Sequence, residues 1–415
     1  MFLKHIIMNK GSPVRIKYYS YKVEFALRGA AHIHGVLWMD WDNFSALKSE
    51  NDEHLKTKLK SLVKAFDKIK ENLNLSTPDK DVLAEFADLS ITCSLKDYKT
   101  KNIVEEVQIH NHTKACKKYS TNCRFSFPRF PSLRTIIAVP YTKMPGDQQE
   151  QKQMLEKSKS VLKKVFDTLN DEVLLKTLVN EDQGLIDKYI RLQQAIYMVE
   201  KALEEIGRSK NLIVELCPET ITMLNEFCGY SETTNTIFID DLNIIHEQLN
   251  KSKESFNVKN IERRRLEKLL AVAGVEGYND KTALQVYEDA LGISSYGYKV
   301  VHRRDIDECY VNNYNAEWII SWNSNMDLQL SLCYHSVITY VSDYFSKDDS
   351  GTMPHILEAL KRLGNESLQS SMAIVANMFL THRQIGESEA FYKILPHLQM
   401  KHSNIDAVFL PTGFK

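Results

Sequence analysis

Residues 21–38, Tyr-Lys-Val-Glu-Phe-Ala-Leu-Arg-Gly-Ala-Ala-His-Ile-His-Gly-Val-Leu-Trp, restrict the fold more than any other stretch of this chain. Two β-rich runs flank Arg28-Gly29-Ala30, which predicts a hairpin. On its second strand His32, His34, Val36 and Trp38 share a face, because side chains alternate with period two. Two imidazoles so placed project side by side, about 7 Å apart along the strand. Glu24, close to the turn on the partner strand, brings a carboxylate to the same place. Oxygen plus imidazole suits a divalent cation such as Mn²⁺, or Mg²⁺ with waters retained. A surface histidine beside a hydrogen-bonded strand histidine gives the same pattern without a metal.

Bulk properties limit the remaining choices. With 415 residues the chain is expected to form two or three domains. Fifteen Gly and ten Pro are few for this length, which favours long helices over many tight turns. A net charge of −1 excludes a generally basic nucleic-acid binder, so any grip on DNA must be local. No signal peptide and no run of 18 apolar residues is read, so a soluble, intracellular protein is expected. Seven Cys, an odd number at irregular spacing, argue against a disulfide framework. Cys217, Cys228, Cys309 and Cys333 stand in apolar settings and are expected to be buried thiols.

Along the chain, apolar residues at helical spacing from His54 to Leu73 predict an amphipathic helix with lysines on its outer face. Residues 74–104 carry no clear pattern. His110, His112, Cys116 and Cys123 then follow the spacing His-x-His-x3-Cys-x6-Cys. Two nitrogens and two sulfurs are the set a structural zinc prefers, although loop thiols beside surface histidines would read alike. Cys93 is a candidate substitute ligand. Arg124, Phe125, Phe127 and Arg129 interleave cations with aromatics, a pattern able to stack unpaired bases and hold phosphate, or simply to pin a loop. A short strand is expected at 137–141, a helical region from 148 to 292, a strand at 296–302, a turn opening a helix at 312–320, and a short strand after 323–329. Further helices are read at 354–363, 370–381 and 381–392.

The second chemical element is the helix around 337–347. Val337, Ile338, Val341 and Phe345 make its apolar face, while Tyr340, Tyr344 and Lys347 line the adjoining one. A phenol with pKa about 10 is a poor nucleophile unless a cation activates it. Two half-buried tyrosines and a solvated lysine are the bland alternative.

In this order, Glu24-Phe-x-x-Arg28-Gly29-x-x-His32-Ile-His34, Cys123-Arg-Phe-x-Phe-Pro128, Tyr314-Asn315, Asn323-x-Asn-Met-Asp327, Tyr340-x3-Tyr344-x2-Lys347 and Gly386-Glu-Ser-Glu389-Ala390-x-Tyr392 resemble one family. The chain is similar to the Rep nuclease region of Helitron-type rolling-circle transposases, two-tyrosine HUH endonucleases, from about residue 10 to its end. The resemblance implies an α+β fold: a small antiparallel HUH-type sheet with a zinc-like insertion and a large helical insertion. Its segments would be 1–45 (metal-binding hairpin), 46–145, 146–295, 296–360 (return to the core) and 361–415. It implies Mg²⁺ or Mn²⁺ on His32, His34 and Glu24, attack by Tyr340 on single-stranded DNA, a second cleavage by Tyr344, and charge neutralisation by Lys347. The zinc-like cluster would hold the insertion near the DNA. No membrane and no small-molecule ligand are implied, and the nucleus is the expected site in a eukaryote.

Departures from the family pattern accompany the match. Only 23 residues precede Glu24, so the sheet is expected to lack its first strand. Ala26 replaces a common Gln, and Asp343 puts a negative charge beside the tyrosines. No Gly-x4-Gly-Lys-Ser/Thr loop occurs, so the helicase half of full-length relatives is absent and a fragment or decayed copy is expected. The same residues also fit a catalytically inactive or domesticated DNA-binding remnant, or a chain with no biochemical role.

Overall fold

The structure is a computed structural model describing residues 16–25, 31–39, 53–113, 116, 123–209, 212–230, 235–345, 392, 395 and 400–403. In chain order the elements begin with β1 (Ile16–Phe25), β2 (Ala31–Met39), α1 (Glu53–Lys70), α2 (Thr77–Ser90), α3 (Lys101–Val107) and β3 (Ile136–Pro140). The helical region follows: α4 (Gln148–Leu169), α5 (Glu172–Asn180), α6 (Gln183–Ser209), β4 (Ile213–Glu215), α7 (Pro218–Cys228), β5 (Thr236–Phe238), α8 (Ile239–Ser255), α9 (Val258–Val272) and α10 (Ala283–Leu291). Last come β6 (Ile293–Ser294), β7 (Lys299–Val301), α11 (Ala316–Trp322), α12 (Tyr334–Phe345) and β8 (Met400–His402). This is a mixed α+β chain with small sheets. No helix among the described residues is long and apolar enough to cross a membrane.

Two units divide the chain: residues 1–63 with 333–415, and residues 64–332. The first contains the predicted hairpin. β1 and β2 pair antiparallel, Glu24 opposite His32 and Lys22 opposite His34. Gly35 lies opposite Tyr21, where an added Cβ would come within 2.9 Å of the Tyr21 Cβ, so a glycine lets the strands close. The outer edge of β1 is covered by β8, from far along the chain, which makes β1 the middle strand of three. The helices expected at 354–363, 370–381 and 381–392 lie outside the described residues, apart from Tyr392.

The second unit holds the helical region. Its sheet is built on β3, parallel to β6 and antiparallel to β7. Local capping starts the helices: Asp147 accepts from the Gln149 and Glu150 amides at α4, and Asn315 accepts from those of Glu317 and Trp318 at α11. Residues 74–104, without a readable pattern, contain α2 and the start of α3. Pro78 stands in the first turn of α2 and the Ser76 amide donates to Asp79. One core joins α4, α5, α9 and α10 through Val165, Leu178, Leu269 and Tyr287; another joins α6, α7 and α8 through Val199, Leu224 and Leu249. The short antiparallel pair β4–β5 interrupts the helices. Residues 324–333 contain no strand, unlike the expectation after 323–329. Residues 296–332 belong to this unit rather than to the hairpin's, because β7 pairs with β3.

A buried charge network ties the second unit together. Lys96 Nζ lies 2.9 Å from Glu308, 3.1 Å from Asp305, 3.4 Å from Asp307 and 3.6 Å from Glu262. Arg265, also buried, reaches Asp305 at 2.8 Å and the Val179 carbonyl at 2.7 Å. Removing one partner of such a network strands its opposites in a medium that solvates them poorly. Lys96→Met is therefore expected to destabilise the second unit by about 3–5 kcal/mol, measured by denaturant unfolding.

Candidate active site and metal centre

Antiparallel pairing puts Glu24, His32 and His34 on one face of the hairpin. His34 is half-buried between an acid and a phenol. Its Nε2 is 3.6 Å from Glu24 Oε2, and its Nδ1 is 3.1 Å from Tyr340 Oη. The His34 and Tyr340 rings meet edge to face, with centroids 6.2 Å apart. The structure thus joins Glu24, His34 and Tyr340, the last two 306 positions apart. His32 is exposed, and its ligand nitrogens do not converge with both Glu24 and His34 within 4.8 Å. Glu24 Oε2 and His34 Nε2 offer one oxygen and one nitrogen donor, a set that a divalent cation accepts. α12 presents Tyr340 toward β2 and leaves Ile338 exposed, so Ile338 is not part of a buried apolar face. The backbone of Tyr344 is one turn further along α12, and Lys347 lies outside the described residues.

The predicted zinc set assembles in the second unit. Ligand atoms of His110, His112, Cys116 and Cys123 all lie within 4.8 Å of one another, and no other such group of three or more occurs among the described residues. Cys123 Sγ is 3.3 Å from His110 Nε2, and Cys116 Sγ is 3.5 Å from His112 Nδ1. A tetrahedral zinc with ordinary bond lengths sets an N···S edge of about 3.5 Å, so the group could hold such an ion. Burial, with His112 and Arg129 adding to it, holds His110 below the ordinary histidine value, favouring the neutral ring that ligation needs. The framework is backbone: the Arg124 amide donates to the Cys116 carbonyl, the Ser126 amide to Cys123, and the His110 amide to Tyr310. Ser126 takes a positive φ of 59° to make this turn.

The Arg/Phe run divides by burial. Phe125 is 47% exposed, with the Arg124 guanidinium 4.5 Å from its ring centroid. Phe127 is buried and stacks on His110 at 4.4 Å, so it backs the ligand and offers no face to a base. Arg129 packs over Phe127, and its amide donates to Cys309. Cys93 is no substitute ligand: its thiol donates to the Arg303 carbonyl and burial pushes it up to about 11. Among the four thiols expected inside, Cys309 is buried, Cys228 and Cys333 are half-buried and Cys217 is exposed. Cys217 sits at the N-terminus of α7, a position that an apolar neighbourhood in sequence does not reveal.

Sequence reasoning passed over His302, a buried residue directly after β7. Burial, with Arg304 and Arg129 adding to it, lowers its pKa to about 4, and its Nδ1 has no hydrogen-bond partner among the described residues. Between pH 6.5 and 4 the unfolded chain binds this proton and the folded one does not, so stability falls as pH falls through that window. Wild type is expected to lose about 3 kcal/mol more than His302→Asn across it, read by denaturant unfolding at each pH.

No family model, curated protein or solved structure matches this chain.

Proposed function

We propose that this chain nicks and rejoins single-stranded DNA by tyrosine attack, as a Helitron-class HUH initiator would. The observation that carries this reading is the 3.1 Å contact between His34 Nδ1 and Tyr340 Oη on a face that also bears Glu24. His34 Nε2 and Glu24 would hold the divalent cation, which would supply polarisation of the scissile phosphate. With Nε2 so used, the His34 hydrogen sits on Nδ1 and donates to Tyr340 Oη, which fixes the hydroxyl and stabilises the phenolate as its proton leaves. Tyr340 Oη bonds to phosphorus as the bond to the 3′ oxygen breaks, leaving a 3′-hydroxyl and a 5′-phosphotyrosine. In this reading Tyr344, four residues further along α12, makes the second cleavage of a strand transfer. In the same reading, zinc on His110, His112, Cys116 and Cys123 has a structural role.

The test is cleavage of single-stranded oligonucleotides with Mn²⁺ or Mg²⁺. The expected product carries a 3′ end that a polymerase extends, and EDTA abolishes it. No cleavage of a varied oligonucleotide pool with either metal overturns the reading. A non-catalytic single-strand binder would then be favoured by the exposed Phe125 and its stacked Arg124, a platform for an unpaired base.

A further inference from the structure

The loop that gathers the zinc-like cluster in the second unit carries a guanidinium with nothing to neutralise it. Residues 107–146 contain seven Lys or Arg and no Asp or Glu, in a chain whose net charge is −1. Such a stretch is the local basic patch through which a nearly neutral protein can grip a polyanion. Within it Arg129 is half-buried, its guanidinium 4.8 Å from the Phe127 ring centroid. Stacking occupies the flat face of a guanidinium and leaves its five N–H donors in the plane. Those donors make no hydrogen bond and no ion pair among the described residues. Asp327 attracts the group without forming an ion pair with it. A half-buried arginine is ordinarily paired, because only an anion or a strong acceptor replaces the water it has lost. Arg134, in the same stretch, shows the difference: its Nη2 is 3.0 Å from Glu288 Oε2. The neighbours of Arg129 supply the other half of a site. Phe127 stacks on His110, and Phe125 meets the same imidazole edge-on at 5.7 Å. Arg129 and Phe125 are therefore fixed around one ring, Arg129 offering donors and Phe125 an aromatic surface that is 47% exposed.

We propose that Arg129 binds a backbone phosphate of single-stranded DNA while Phe125, with Arg124 beside it, stacks a neighbouring base. The site belongs to the second unit alone. Its ligand rests on the proposed function, which brings single-stranded DNA to the protein, but it needs no cleavage step. A planar guanidinium can donate to two phosphate oxygens at once, and its stacking on Phe127 holds the fork in one orientation. Base stacking on an exposed ring is tolerant of sequence and needs an unpaired strand, whose bases are free to leave their neighbours. Phosphate on a cation and base on an aromatic ring together favour a single strand over a duplex.

The experiment measures binding of the zinc-loaded full chain to labelled oligo(dT) by fluorescence anisotropy across a salt series, without added Mg²⁺ or Mn²⁺. Wild type is compared with Arg129→Gln, Arg129→Lys, Phe125→Ala and Arg134→Gln, and zinc content and melting temperature are read for each. Arg129→Gln is expected to weaken binding about 10-fold. Its slope of log affinity against log salt should be shallower by about 0.7, one phosphate contact on a single strand. Arg129→Lys should restore the slope and part of the affinity. Phe125→Ala should also cost about 10-fold, with the wild-type slope. Arg134→Gln removes the same charge from a paired arginine and should bind as wild type does. Zinc content and melting temperature should agree throughout. Wild-type affinity and slope in Arg129→Gln overturn the inference, and if wild type cleaves DNA the nicking reading still stands. Loss of zinc or a lower melting temperature in Arg129→Gln overturns it too, making the arginine structural. Equal affinity for a duplex of the same length also overturns it. If nothing cleaves but the Arg129 and Phe125 effects are present, the inference stands while the nicking reading falls. No binding of oligo(dT) by wild type overturns both.

Discussion

Protein expressed in zinc-containing medium is expected to carry about one zinc ion per chain, and replacing Cys116 and Cys123 together by serine removes it. Both sulfurs lie within 3.5 Å of an imidazole nitrogen of the same group, and serine hydroxyls are much poorer zinc ligands than thiolates. The loss reaches beyond the loop. His110 stacks on Phe127, Phe127 on Tyr310, and the Arg129 amide is held by the Cys309 carbonyl. Binding free energy at a structural zinc is folding free energy, about 10 kcal/mol or more in small zinc domains. Here the surrounding core carries part of that load. The double variant, or wild type after strong chelation, is therefore expected to melt about 10 °C or more below the metal-loaded protein. Metal content is read by elemental analysis and melting by circular dichroism. Full stability in a zinc-free double variant would reduce the cluster to packed thiols and imidazoles.

Tyr340→Phe is expected to reduce nicking about 1,000-fold or more, because it deletes the oxygen proposed as nucleophile while keeping the ring against His34. Tyr344→Phe should keep the first cleavage and lose the transfer that needs a second nucleophile. His34→Ala removes the group that contacts both Tyr340 and Glu24. It should cost about 100-fold in rate and weaken the dependence on Mn²⁺ concentration. The measurement is single-turnover cleavage of a labelled strand across a metal titration. Equal rates in wild type and Tyr340→Phe would remove the tyrosine from the mechanism.

Elements with strong local rules were legible in the sequence. Period-two alternation gave the hairpin and the shared face of Glu24, His32 and His34. Spacing alone gathered His110, His112, Cys116 and Cys123, because a short loop can fold only so far apart. The turn opening a helix at 312–320 was legible, and the structure shows Asn315 as the residue that caps that helix. Other features depend on distant chain. Strand β8 joins β1 across nearly the whole sequence, so the central position of Lys22, and its burial, follow from a pairing that no local pattern encodes. The meeting of Tyr340 with His34 was an expectation from family resemblance, since periodicity fixes which face Tyr340 occupies but not what that face meets. Lys96 gives a similar case: its four carboxylate partners come from α9 and from residues 305–308, far downstream. Cys217 shows the reverse failure, where apolar neighbours in sequence coexist with an exposed position at a helix start.

The most direct measurement of the central claim is peptide mapping of protein incubated with single-stranded DNA and Mn²⁺, then digested and analysed by mass spectrometry. A 5′-nucleotide adduct on the peptide containing Tyr340, absent in Tyr340→Phe, is the predicted result. An adduct confined to any other residue, or none in wild type, would contradict it.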